Sequence, residues 1–205
     1  VTGYIIPTIL NLYNKGYGDA TYKERALSMA DWEVDAQSGG DGSAIGYVYD
    51  TGMMVQGLLA AHRAVPGDTA YLAAAEWGAR WICAPERRAA DGSFQACNDV
   101  AHDYHARVDW ILLDLYKETG NTLYRDVALN NLAWIYDRQD GTTGWYASET
   151  NFHFLCYVIE GMLESGVVLK TISGYEALGD TYVSSAKLAA DALLSQQNSD
   201  GSMTS

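Results

Sequence analysis

The stretch YLAAAEWGARWICAPE, residues 71–86, decides the fold. It is rich in Ala, a strong helix former, and its large apolar residues recur at helical spacing. Tyr71 opens it, Trp81 follows ten residues later and Glu86 fifteen later. The same ladder occurs at Tyr22, Trp32 and Gln37, at Tyr124, Trp134 and Gln139, and at Tyr182, Ala192 and Gln197. The tyrosines stand 49, 53 and 58 residues apart. A constant internal pattern with drifting spacing means helices of fixed length joined by loops of variable length.

A turn phrase precedes each of these helices: GDATY, GDTAY, GNTLY and GDTY. Gly ends one helix in a left-handed conformation, and Asp or Asn caps the next. Before each turn lies a more apolar helix, as in DTGMMVQGLLAAHRAV and NFHFLCYVIEGMLESG. A helix apolar around most of its circumference is buried on most sides. Each repeat is therefore an inner helix followed by an amphipathic outer helix, with the Trp column packing one onto the other. Four hairpins are expected, at about 2–37, 48–86, 101–139 and 151–197 of a single domain. Between them run the phrases QSGGDGS, ERRAADGSFQ and QDGTTGWY, and QQNSDGS follows the fourth. Asp-Gly makes a tight turn that the following Ser can brace.

Composition bounds the function. Hydrophobic content of 48% with 19% charged residues reads as globular. A net charge of −13 argues against nucleic acid and anionic membranes, which need clustered Lys and Arg. No run of about 18 apolar residues is evident, so no membrane span is expected. Cys83, Cys97 and Cys156 form no CxxC pair, which argues against zinc or a redox dithiol. Cys156 is expected in the core, and a Cys83–Cys97 disulfide is left open. No cofactor is called for, and no compartment can be read.

Repeated units of outer helix, Gln, Asp-Gly-Ser and inner helix resemble the α/α-toroid proteins. These rings of helical hairpins include the six-hairpin glycosidases, uronyl hydrolases, several polysaccharide lyases and terpenoid cyclases. The resemblance implies an all-α fold and an incomplete toroid, since a full ring has about six hairpins. An arc cut as a fifth hairpin would start, an arc complete in itself, and two arcs that pair all stay open. Apolar flanks on terminal hairpins imply self-association.

In such toroids the inner-helix N-termini line one mouth. Aligning the repeats puts Tyr49, His102 and His153 in one column there, and Asp50 and Asp103 in the next. Deeper in, Pro7, Gln56, Asp109 and Glu160 share a column. The segment VYDTGMMVQGLL is similar to unsaturated-uronyl hydrolases, which makes Asp50 a candidate general acid/base. The structural alternative is an N-cap, whose setting lowers a carboxylate's pKa where a general acid needs it raised. HDYHARVDW is the densest cluster. On a helix His102, His105 and Asp109 share a face. There Arg107 would neutralise a uronate carboxylate and His105 or Tyr104 would move a proton. A polar network joining hairpins is the alternative. His102 and His105 also have metal-like spacing, but no further ligand is identified and no metal is expected. Trp145 in the GTTGWYASET loop is the better sugar-stacking candidate, ahead of Trp110 and Tyr146. Terpenoid cyclase chemistry is disfavoured, because no DxDD-like acidic cluster is present.

The functional expectation is a carbohydrate-active protein, first a glycoside hydrolase on oligosaccharides or polysaccharides, uronate-containing ones included. Its catalytic candidates are Asp50, Asp103, His105 and Tyr104. Substrate contacts are expected from Arg107, His102, His153, Trp145, Tyr49 and Glu160. A polysaccharide lyase or uronyl epimerase is the second reading, and a non-catalytic module binding a glycan or a protein is the third.

Overall fold

The computed structural model of the protein describes residues 2–37, 40–95, 101–146 and 151–203. Its α-helices run in pairs: α1 (Thr2–Asn14) with α2 (Ala20–Gln37), α3 (Val48–Ala64) with α4 (Ala70–Ile82), α5 (Ala106–Thr119) with α6 (Thr122–Asp137), and α7 (Phe152–Leu169) with α8 (Glu176–Leu194). Single 3₁₀ turns cover Pro85–Arg87 and Asp103–His105. Among the described residues β-type pairing is confined to isolated bridges such as Gln139 with Tyr146 and Gln197 with Met203. The fold is all-α, in tandem antiparallel hairpins.

The chain forms two compact units. In the first, α1 packs on α2 and α3, and α3 packs on α4. Gly3 and Gly57 let α1 and α3 touch backbone to backbone, since a Cβ on Gly57 would lie 2.4 Å from Gly3 O. The second unit holds the 89–94 turn and α5 to α8, with α7 packed on both α5 and α8.

Three of the four interhelix turns have the expected Asp or Asn bond, although Gly18 and Gly67 are not left-handed. Asp19 accepts from Thr21 N at 2.9 Å, Asp68 from Ala70 N at 2.9 Å and Asn121 from Leu123 N at 3.2 Å. Gly120 ends α5 with φ 72°. The fourth does not. The phrase GDTY lies inside α8, and the chain turns earlier, at Gly174 with φ 88°. Gly179 serves packing instead, because a Cβ there would lie 2.6 Å from Gly166 O on α7.

The turns after the second helices are tethered by side chains. Gln37 Nε2 donates to Gly42 O at 2.8 Å and to Ala74 O, on the next hairpin's second helix, at 3.2 Å. Gln139 Nε2 repeats this to Gly144 O and Ser185 O, both at 3.0 Å. Asp41 accepts from Ser43 N and Oγ, which holds its carboxyl below the usual range. Its other oxygen accepts from Trp81 Nε1 at 2.7 Å. Asp91 is held by Ser93 in the same way and accepts from the Trp134 side chain. The Trp column therefore anchors turns, which is more than the helix packing expected of it; Trp32 is 59% exposed. Glu86 breaks the Gln column. It is exposed in its 3₁₀ turn, and there Asn131 Oδ1 accepts from Phe94 N at 3.3 Å instead.

Two further expectations are corrected. Cys156 is exposed, because it falls on the solvent side of α7 between buried Leu155 and Val158. By length and composition α7 is long and apolar enough to cross a membrane, with 18 residues and a mean hydropathy of 1.4. Here it is packed as a core helix against α5 and α8. Cys97 lies outside the described residues.

Candidate functional site

The densest chemistry gathers in the second unit, at the N-terminal ends of α5 and α7. Asn151 caps α7, accepting from His153 N at 2.8 Å. Gly161 on α7 then meets α5 at closest range; a Cβ there would lie 2.3 Å from Ala106 C and 2.4 Å from Arg107 N. That approach sets Arg107 against residues one and four positions earlier on α7. Arg107 Nε lies 3.2 Å from Glu160 Oε2, and its guanidinium lies over Tyr157 at 5.0 Å.

Around this pair runs a train of rings. His102 stacks on Tyr104 at 4.5 Å and 16°. Tyr104 stacks on Phe154 at 5.0 Å and 30°. His153 meets Tyr157 edge-on at 4.6 Å and Phe154 at 5.5 Å. Phe154 is 37% exposed and His153 is also exposed. The result is a partly solvated aromatic surface with a cation and a carboxylate beside it.

Beneath that surface the polar groups are buried. His105 is 1% exposed, held edge-on between Tyr104 at 5.0 Å and Phe94 at 5.7 Å. Burial, with His102 close by, pushes its pKa down to about 3, so the imidazole is neutral at pH 7. Its Nδ1 has no hydrogen-bond partner among the described residues. Asp109 is fully buried and its carboxyl is driven up by desolvation, against the pull of Asn131 Nδ2, which donates to Oδ2 at 2.6 Å. Asp103 is also fully buried, and Arg138 Nε lies 3.2 Å from its Oδ1. His102 is half-buried, and desolvation lowers its pKa, leaving a neutral ring able to accept a proton.

The structure thus brings together His102, Tyr104, His105, Arg107, His153 and Glu160. Asp50 and Tyr49 belong to the first unit. Asp50 is the third residue of α3, half-buried, and does not cap the helix; Tyr47 holds the N-cap position. Trp145 is half-buried and stacks on Phe152 at 6.0 Å. The other site aromatics, Phe154 and Tyr157, were not singled out from sequence. Phe154 occupies the column of Asp50 and Asp103, and continuing that column into the fourth repeat would have found it. No group of three or more His, Cys, Asp or Glu among the described residues is placed to hold a metal ion.

No family model matches the sequence, and no curated protein matches it. Solved structures do. One, a polysaccharide lyase, superposes with a TM-score of 0.66 at 13% identity. The match covers 97% of this chain and 60% of that one, so the chain spans about three-fifths of the lyase's length. The fold is of the α/α-toroid type. Identity this low carries the fold and leaves the chemistry to be argued from the residues.

Proposed function

We propose that the chain is a carbohydrate-active protein that binds an oligosaccharide or polysaccharide on the aromatic surface of α5 and α7. The carrying observation is the ring train His102–Tyr104–Phe154, partly solvated and continued by His153 and Tyr157 toward Arg107. Sugar rings present apolar CH faces that pack on such rings, while charged groups at the edge orient hydroxyls and carboxylates. Its likeness to a polysaccharide lyase supports the substrate class.

Hydrolysis is the first reading of the reaction. Its candidate carboxylate from the segment similar to unsaturated-uronyl hydrolases is Asp50, half-buried in α3 of the first unit, so hydrolysis by Asp50 would use a site of that unit rather than the α5 and α7 surface. Asp103 is less suited, since it is sealed from solvent and paired with Arg138. A second reading is elimination on a uronate. The neutral half-buried His102, stacked on Tyr104, favours it, because α-proton abstraction needs a base that is unprotonated near pH 7. Arg107 would have to exchange Glu160 for the substrate carboxylate. His105 is too buried to meet a substrate directly and serves as packing beneath Tyr104.

One experiment tests both. The protein is incubated with neutral and uronate-containing oligosaccharides and the products are weighed by mass spectrometry. Fragments that together gain one water mean hydrolysis, which Asp50→Asn should abolish. Fragments summing to the parent mass, one of them unsaturated, mean elimination, which His102→Ala should abolish. In either case Phe154→Ala should weaken oligosaccharide binding measured by calorimetry. Neither cleavage nor binding across the panel would sink the proposal.

A further inference from the structure

The second unit holds a cleft that shares no residue with the aromatic surface of α5 and α7. It lies between α6 and α8, the second helices of their hairpins, and has a volume of about 730 Å³. Small-molecule sites span about 300 to 1,000 Å³.

The floor of the cleft is fixed by its own bonds. Gln139 Nε2 donates to Ser185 O at 3.0 Å, and Ser185 Oγ donates to Gln139 Oε1 at 2.6 Å. Tyr146 OH lies 2.7 Å from the same Ser185 Oγ. Ser185 and Tyr146 are buried. A floor already bonded in this way needs little ordering when a ligand arrives.

The walls present acceptors and one aromatic face. From α6 comes the ring of Tyr136, 40% exposed and braced against Tyr182 at 5.9 Å and 57°. Asp137, also exposed, lines the cleft beside it. The earlier hairpins carry Val34 and Cys83 at the position of Tyr136, so the ring is particular to this cleft. From α8 come Thr181 and Ser184. Their hydroxyls donate within the helix, to Ala177 O at 3.0 Å and Asp180 O at 2.8 Å, which leaves them lone pairs to accept with. Asp180 also lines the cleft, and its carboxylate is paired with Lys170 Nζ at 2.6 Å. Among the described residues no Lys, Arg or His lines it.

We propose that this cleft binds a neutral oligosaccharide, with one sugar ring packed on Tyr136 and its hydroxyls donating to Asp137, Thr181 and Ser184. The ligand class follows from the chemistry of the walls. Acceptors call for a ligand rich in donors, and an exposed ring calls for an apolar face; a pyranose has both. A uronate or sulfate would set acceptors against acceptors, the opposite of what Arg107 offers on α5. The inference stands on α6 and α8 alone and does not rest on the reading given to α5 and α7.

Amide chemical-shift mapping by NMR tests it. The neutral probes are cellotetraose, mannotetraose and maltotetraose, each taken to about 10 mM, a range that reaches weak surface sites. Tetragalacturonate is the anionic control and spermidine the cationic one. At least one neutral probe should shift the amides of Asp137, Gly141, Thr181 and Ser184 saturably. Tyr136→Ala and Asp137→Ala should each weaken that binding at least about fivefold. Both positions are exposed, and unmoved amides elsewhere report that each variant is folded. Shifts at this cleft should persist in Phe154→Ala, which separates it from the α5 and α7 surface. No saturable shift at those four amides with any neutral probe overturns the site, and so does a shift that survives both substitutions. Tighter binding of tetragalacturonate or spermidine at the same amides overturns the neutral sugar as its ligand.

Discussion

A histidine that is 1% exposed has no water to hold its charge, and stability must then depend on pH. His105 titrates at about 3 in the folded protein, well below its ordinary value of 6.5. Between those values the unfolded chain binds a proton that the folded one refuses. The His105 contribution is therefore complete above about pH 6.5 and is lost as pH falls toward 3. From pH 7 to pH 4.5 the loss is about 2 to 3 kcal/mol. Asp109 acts the other way, because its raised carboxyl pKa makes the folded state keep a proton that the unfolded state gives up. His105→Phe keeps a ring between Phe94 and Tyr104 and removes only the first effect. Urea unfolding at pH 7 and pH 4.5 should show the wild type losing about 2 to 3 kcal/mol more than the variant on acidification. Equal losses in both proteins would show that water reaches the imidazole.

At the scale of elements, the last hairpin separates two uses of glycine. Gly174 turns the chain at φ 88° with open space where a Cβ would go. Ala there meets only backbone strain, about 1 kcal/mol. Gly179 sits in a helix where a Cβ would press on Gly166 O at 2.6 Å and on Lys170. Ala there forces α7 and α8 apart, at about 2 to 4 kcal/mol. Gly179→Ala should therefore lower the urea midpoint more than Gly174→Ala; the reverse order would place the turn at GDTY after all. The same residues mark what the sequence could show. Helix periodicity and the Asp and Asn caps located four helix pairs and three of the turns inside them, because those are local effects. Gly179-Asp180 reads identically to Gly67-Asp68 in one dimension, and only the neighbouring helix distinguishes them. The N-cap alternative for Asp50 fails for a similar reason, since α3 begins two residues before it, at Val48. The exposure of Cys156 depended on which stripe of an apolar helix faces its partners, which composition does not state.

For the molecule as a whole, the site was legible as a set of columns and not as a surface. Repeat alignment put His102 and His153 in one column and Asp109 and Glu160 in a deeper one, and Arg107 stood out in the HDYHARVDW cluster. Which of the ionisable groups are sealed, Asp103, His105 and Asp109, followed only from packing by distant residues such as Phe94, Asn131 and Arg138. Phe94 makes that dependence testable. The 89–94 turn precedes the second unit's helices in sequence and belongs to that unit. Phe94 is fully buried, lies edge-on to His105, and donates its N–H to Asn131, which in turn holds Asp109. Removing the turn strips an aromatic side chain from the core and leaves Asn131 Oδ1 without its donor. A fragment of residues 89–203 should then unfold cooperatively and exceed a 101–203 fragment in stability by about 3 to 5 kcal/mol, the range for deleting a buried Phe. Equilibrium unfolding of the two fragments measures the difference. In the full chain Phe94→Ala should give a loss of similar size and should also raise the pKa of His105 by letting water in, read from its ring proton shifts on titration. Fragments of equal stability, or a His105 titration unmoved by Phe94→Ala, would mean that the helices alone seal the site's floor.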